Sequence, residues 1–119
     1  MPSKPLDQQS LEAIASLIRN AVASGLYKLL LNTRFTRGRM EEFGYERGDI
    51  IDTLKSCAIT AKEMHGYRWR YRAEGGNFEN EKRMVVIVEI ETEETGDGEE
   101  IMILLVIGVW PQDGRSERS

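Results

Sequence analysis

The sequence predicts an α+β fold in which two or three N-terminal helices pack on one face of a three- or four-stranded antiparallel sheet. Two observations support this fold class. Apolar residues recur at helical spacing in the first half of the chain, and after Cys57 they alternate or form continuous runs as in strands. A chain of 119 residues suits one domain. We therefore expect a single domain over 1–119, with an ordered core at about 8–111 and a polar tail at 112–119.

The first half of the chain reads as helices separated by glycines. A first helix is predicted to begin near residue 8 and to end at Gly25, a natural stop. Its apolar stripe consists of Leu11, Ile14, Ala15, Ile18, Ala21 and Val22. The segment 26–32 fits a short strand and a prolonged helix equally well. Two short helices, 34–43 and 46–57, then form an αα-hairpin that turns at Gly44.

The second half reads as an antiparallel meander. "YRWRYRA" (67–73) alternates strictly, and "RMVVIVEIETE" (83–93) also alternates over its second half. A hairpin over a turn at 73–82, in the register that pairs residue 70 with residue 89, also pairs 68 with 91. This register places arginines opposite glutamates and aromatic residues opposite valines. The aromatic row then belongs to the core.

The last strand is apolar on both faces. Ile101, Ile103, Leu105 and Ile107 occupy one face, and Met102, Leu104 and Val106 occupy the other. A sheet with helices on one side covers only one of these faces, and a large exposed apolar patch usually marks an interaction site. We therefore expect either that the first helix crosses to the second face or that the protein forms a homodimer through Ile101–Val109.

Composition excludes several classes of protein. The longest charge-free apolar run, Ile101–Trp110, is far shorter than the roughly 20 residues of a membrane helix, and no signal-like segment is present. One cysteine, Cys57, excludes an internal disulfide. Metal-binding and phosphate-loop motifs are absent, so we expect no metal and no cofactor. These features together suggest a cytoplasmic protein without membrane association.

Two basic clusters are candidates for binding phosphate. Arg34, Arg37 and Arg39 lie in the first short helix, and Arg68, Arg70 and Arg72 share one face of the alternating strand. Arginine suits this task because its planar guanidinium grips phosphate in a bidentate way. The competing interpretation is a solvated helix face and a row of ion pairs with Glu89 and Glu91. The net charge of −4 also argues against non-specific binding of nucleic acid.

The order of elements resembles a known family. "FTRGRMEEFGYERGDIIDTLKS", "YRWRYRAEGGNFENEKRMVVIVEIE" and "IMILLVIGVW" are together similar to a bacterial domain family of unknown function. The matching steps are Arg39-Met40 in one helix and Asp49-Ile50 in the next, and the resemblance spans about residues 30–110. That family looks related to the RelE-like ribonuclease toxins, which include the motility quorum-sensing regulator toxin.

The resemblance implies a toxin-like protein that binds messenger RNA and has an antitoxin as partner, and it leaves open whether the protein cleaves the RNA as an endoribonuclease. By position, Lys62, Arg68, Arg70 and Tyr71 would be the analogous side chains, and Lys62, His65 or Tyr71 would transfer protons. Phe35 stands where the family often has a histidine, and Phe43 falls near a frequent arginine. These departures leave open a non-enzymatic, dimeric interaction domain.

Overall fold

The computed structural model describes residues 8–31, 34–77 and 82–111. Three helices and five strands form along these ranges, and the last four elements are consecutive strands. They are α1 (Leu11–Ser24), β1 (Tyr27–Leu30), α2 (Arg34–Phe43), α3 (Arg47–Lys55), β2 (Ala58–His65), β3 (Arg68–Asn77), β4 (Lys82–Glu94) and β5 (Glu100–Pro111). The α+β fold class is confirmed. The predicted tail at 112–119 and part of the predicted turn at 73–82 lie outside the described residues.

The sheet has five strands in the order β1-β5-β4-β3-β2 and is mixed. The prediction of three or four antiparallel strands was therefore wrong on two counts. Segment 26–32 supplies β1, and β1 pairs parallel to β5, with Leu29 opposite Leu104. Four residues are too few to show a strand periodicity, and β1 becomes a strand because β5 has a free edge where Leu29 is buried.

Helix α1 follows its sequence signals closely. The Ser10 side chain accepts a hydrogen bond of 3.0 Å from the Ala13 backbone N–H and so caps the first turn. Gly25 has φ of 80°, a left-handed conformation that favours glycine, and it ends the helix as predicted. Ile14, Ile18 and the rest of the predicted stripe face the core.

The helices pack against the sheet in two places. Helices α1 and α3 cover one face, where their residues pack on Tyr71, Val86, Leu104 and other residues of that face. Helix α2 instead lies beside β5. The Thr36 hydroxyl donates a 2.9 Å hydrogen bond to the carbonyl of Val106, one residue beyond the stretch that pairs with β1. Only α1 and α3 therefore fit the expectation of helices packed flat on one face.

The predicted register of the β3–β4 hairpin is confirmed. Arg70 pairs with Glu89, and Tyr71 pairs with Val88. The predicted burial of the aromatic row is only partly correct, because Tyr67 is fully exposed while Tyr71 is buried. Strand β3 begins at Arg68, so Tyr67 lies in the tight turn after Gly66 and never reaches the core.

In the described ranges no helix is long and apolar enough to span a bilayer.

Candidate functional site

The sheet has a covered face and an open face. The covered face, packed on α1 and α3, carries the even-numbered residues of β5 from Met102 to Val106, followed by Val109. The open face carries the alternate residues, and no described helix lies across it. On this face β5 contributes apolar side chains and β4 contributes glutamates. Strand β3 contributes Arg68, Arg70 and Arg72, which we call the arginine row. A β-bulge opposite Ile87 and Val88 adds one residue to β5. For this reason the covered face continues at Val109 rather than at Gly108.

Each arginine of the row is paired with a carboxylate. Arg68 contacts Glu91 and lies 3.7 Å from a Glu89 oxygen. The Arg70 Nε atom donates a 3.1 Å hydrogen bond to Glu89, which is buried although it is charged. The Arg72 Nε atom donates a 2.7 Å hydrogen bond to Glu74. The predicted ion pairs with Glu89 and Glu91 are therefore confirmed for Arg68 and Arg70, whereas Arg72 pairs with Glu74 of its own strand, a pair not predicted from the sequence.

The pairing of Arg72 has a measurable electrostatic consequence. Burial by itself raises the pKa of Glu74, but hydrogen bonds from Arg72 and Thr60 outweigh it. The pKa of Glu74 therefore lies below its ordinary value, and this carboxylate stays ionised at neutral pH.

The open face is not a positive surface. Its described basic side chains are Lys28, Arg68, Arg70 and Arg72, and its acidic ones are Glu63, Glu74, Glu89, Glu91 and Glu93. A phosphate chain would not be attracted to such a face as a whole. Any anion site has to be local.

One groove on the open face combines arginine with aromatic side chains. It has a volume of about 660 Å³, within the range of ligand pockets. Arg70 and Arg72 line one side, and Phe35 and Trp110 line the other. Both arginines use Nε for their carboxylates, and their Nη atoms donate no hydrogen bond within the part of the chain that the structure describes. The groove therefore offers uncommitted donors next to aromatic rings.

The aromatic side of the groove depends on Gly108. The ring centroids of Phe35 and Trp110 lie 6.2 Å apart with an angle of 57° between their planes. A Cβ atom on Gly108 would come within 2.7 Å of the Trp110 ring. Glycine at this position therefore lets the indole ring lie over β5.

Arg39 joins the two predicted basic clusters at this groove. Its guanidinium carbon lies 5.0 Å from the Phe35 ring centroid and 5.4 Å from that of Trp110, distances typical of cation–π contacts. Arg34 and Arg37 instead line a separate groove on the outer side of α2, with Tyr45. The structure thus divides the α2 cluster between two sites.

Of the three predicted proton-transfer residues, the structure pairs Lys62 with Tyr71 on adjacent strands and places His65 on the opposite face. Tyr71 is only 2% exposed and belongs to the core. The Lys62 Nζ atom lies 4.9 Å from the Trp69 ring centroid, on the same face as Tyr71. His65 is exposed and pairs with Arg68 on the open face. Their assignment as catalytic residues stays a prediction.

The single thiol is unsuited to nucleophilic chemistry. Cys57 is buried, and burial raises its pKa to about 11. A thiol with such a pKa is almost entirely protonated at neutral pH. The described ranges also contain no group of three or more His, Cys, Asp or Glu side chains placed to hold a metal ion.

Two residues of the groove escaped sequence reasoning. Phe35 stood out only as a departure from the family pattern, and Trp110 only as the end of an apolar strand. A usable signal was present in Gly108 and Trp110, which are two positions apart and so share a face of β5.

Comparisons with protein-family models, with curated proteins and with solved structures find no match for this chain.

Proposed function

We propose that this protein binds single-stranded RNA in the groove between the arginine row and the aromatic pair, and that it does not cleave it. The observation that carries this proposal is the position of Arg70 and Arg72 beside Phe35 and Trp110, with Nη atoms that donate to no residue the structure describes. The resemblance to the RelE-like toxin families is the reason for choosing RNA over other anionic ligands with flat rings.

The groove offers the two interactions that single-stranded nucleic acids need. A base stacked on an aromatic ring contributes about 1–3 kcal/mol, whatever its identity. The half-buried indole of Trp110 and the exposed ring of Phe35 together form the stacking surface. The Nη atoms of Arg70 and Arg72 donate to the adjoining phosphate, while their Nε atoms remain bound to Glu89 and Glu74.

The electrostatics predict a weak and local site. The net charge of −4 and the acidic open face give no long-range attraction to RNA. Two arginine–phosphate contacts correspond to a slope of about −1.4 for the logarithm of the binding constant against the logarithm of the salt concentration. Stacking, which depends little on salt, then supplies most of the binding energy.

Binding without cleavage follows from where the proton-transfer candidates lie. Lys62 and Tyr71 border the groove through their strand positions, but their side chains lie on the covered-face side of the sheet. His65 is the candidate on the open face. It stands two pairs along the ladder from Glu63 and Arg70, which border the groove, and four pairs from Ala61 and Arg72. General acid–base cleavage needs two groups within hydrogen-bond reach of the same phosphate.

The experiment measures binding of a fluorescently labelled, single-stranded RNA of about ten nucleotides by anisotropy, a length that matches the sites of single-strand binders. Arg72→Ala and Trp110→Leu should each weaken binding roughly tenfold. Arg68→Ala is the matched control, because Arg68 and Arg72 share a face of the same strand and are 53% and 50% exposed. The control should retain the affinity of the parent protein.

Two results would overturn the proposal. Equal losses in Arg68→Ala and Arg72→Ala would show that the groove is not the site, and absence of binding in low salt would exclude RNA as the ligand. The same mixtures are analysed for cleavage on a gel. Cleavage by the parent protein that disappears in His65→Ala would replace simple binding with the endoribonuclease function, including the antitoxin partner that the resemblance implies.

A second candidate function rests on a different observation. Ile101, Ile103 and Leu105 on the open face of β5 are only half-buried, and the structure describes no helix over them. An interaction domain without enzymatic activity would use this surface to contact another protein.

A further inference from the structure

The end of the open face far from the groove has an ordered charge pattern. Ile101, Ile103 and Leu105 form an apolar row along the first half of β5. Lys28 on β1 pairs with Ile103 from one side, and Glu91 on β4 pairs with Ile103 from the other. The row therefore has a positive flank and a negative flank.

The two flanks already meet within one chain. The Lys28 Nζ atom lies 3.1 Å from a Glu93 carboxylate oxygen, although β5 runs between their strands. Both side chains therefore reach over the apolar row, while about half of each remains exposed. Such an exposed pair contributes little stability and exchanges easily with another partner.

We propose that this surface binds a second copy of the chain, related by a two-fold axis that runs along β5. The inference concerns a different surface from the RNA groove and does not depend on RNA binding. Rotation about such an axis lays β5 on β5, so that each apolar row packs on its counterpart. It also places the Lys28 flank of each copy against the Glu91 and Glu93 flank of the other.

This charge arrangement selects a second copy over an unrelated partner. A surface with opposite charges at equal distances on either side of an apolar row is complementary to itself under that rotation. The Lys28–Glu93 pair within each chain is replaced by the same pair between chains, so no charge is left without a partner. Leu30, 38% exposed next to Leu105 on the neighbouring strand, widens the apolar contact.

The buried area predicts a weak dimer. An axis along β5 brings only β1, β5 and β4 over their counterparts, because β5 is the second strand of the sheet. Three strands are about 14 Å wide, and the half of β5 that carries this pattern is about 20 Å long, giving roughly 300 Å² per copy. A standard protein–protein interface buries about 800 Å² per partner, so we expect a dissociation constant of about a millimolar.

The test is sedimentation of the full chain over a concentration series that reaches about a millimolar, where a dimer of this contact area should be populated. The parent protein should shift from monomer to dimer, and Leu105→Lys should remain monomeric. Lys28→Glu and Glu93→Lys should each weaken the dimer roughly tenfold, because like charges then face each other. Glu63→Lys, a similar charge change on the open face at β2, is the control and should dimerise as the parent does.

A mixing experiment identifies contacts between chains. An equimolar mixture of Lys28→Glu and Glu93→Lys chains should restore the dimer, because opposite charges then meet only between the two different chains. Far-ultraviolet circular dichroism of each variant checks that it is folded. A parent protein that stays monomeric, or a mixture that remains as dissociated as its two components, would overturn the proposal. RNA binding by Leu105→Lys should match the parent, so the two proposals fail separately.

Discussion

Neighbouring residues of the same strand differ greatly in burial, depending on whether they lie on the covered or the open face of the sheet. Leu104 and Leu105 are consecutive and chemically identical, yet Leu104 is fully buried under the helices and Leu105 is only half-buried. The difference comes from what lies over each face. Hydrophobicity alone therefore does not decide where a side chain of β5 ends up.

The two faces also differ in the charged side chains that they carry. The described core on the covered face is almost entirely apolar, and the polar residue Thr53 satisfies its hydroxyl on the helix carbonyl of Asp49 at 2.9 Å. The open face instead carries ladders of ion pairs, and these pairs bring Glu89 to 7% exposure without any covering helix. One face is closed by packing, and the other is shielded by its own charged side chains.

The largest contrast is expected between Leu104→Ala and Leu105→Ala. Leu104→Ala should lower the free energy of unfolding by about 2–5 kcal/mol, because it leaves a cavity in a closely packed core. Leu105→Ala should lower it by less than about 1.5 kcal/mol, because solvent already reaches that side chain. Urea denaturation at low protein concentration measures both. Equal losses would mean that the open face is as well covered as the other.

A second contrast concerns two glycines of the sheet. A Cβ on Gly75 would lie 3.3 Å from both the Cα of Cys57 and the carbonyl oxygen of Thr53, and this backbone at the end of α3 yields little. We expect Gly75→Ala to cost about 1–3 kcal/mol of stability.

Gly108→Ala should act differently, because the atoms in the way belong to the Trp110 ring, which borders solvent and can rotate. Its stability loss should stay below about 1 kcal/mol, and the indole fluorescence should shift to the red. If Gly75→Ala instead left the free energy of unfolding unchanged, α3 would have to adjust its distance from the sheet.

A smaller contrast lies within the ion pairs of the open face. Glu89 is buried and lies within 4 Å of both Arg68 and Arg70, whereas Glu93 is half-exposed and pairs with Lys28. Glu89→Gln should lower the free energy of unfolding by about 1–2 kcal/mol, since two guanidinium groups lose a charged acceptor. Glu93→Gln should change it by no more than about 0.5 kcal/mol. Thermal denaturation of the two variants, in low and high salt, separates these values.

The smallest expected effect is a change in titration at Glu74. Because its pKa in the folded state is lowered, the Arg72–Glu74 interaction stabilises the fold fully above the ordinary glutamate pKa of 4.5 and is lost as the pH falls through the folded value. Arg72→Ala should raise the pKa of Glu74 and flatten this part of the acid dependence. Carboxyl-carbon NMR titration measures it, with Arg68→Ala as a control that should leave Glu74 unchanged.

Much of the fold could be read from local patterns. The spacing of apolar residues and the stop at Gly25 located α1 to within a few residues, and strict alternation in β3 and β4 located the register that pairs Arg70 with Glu89. These features are local or depend on one hairpin, so the side chains involved are close in sequence. The short β1 could not be recognised, because its strand character comes from Leu29 packing beside β5, more than 70 residues away.

The candidate site was only half visible for the same reason. The two basic clusters were evident from composition, but the groove forms where Phe35 of α2 meets Trp110 of β5. Two other properties also needed the three-dimensional contacts. Arg70 and Arg72 bind their carboxylates through Nε and donate from Nη to no other described residue, and Tyr71 is buried away from Arg70.

By itself, the sequence determined the fold class, the limits of α1, the pairing of arginines with glutamates and the two-sided apolar character of β5. The tertiary structure alone decided which side of β5 is covered, where β1 joins the sheet and which arginines reach an aromatic surface. The physical reason is that backbone geometry sets the direction of each side chain within its own element. What that side chain meets depends on elements brought together from distant parts of the chain.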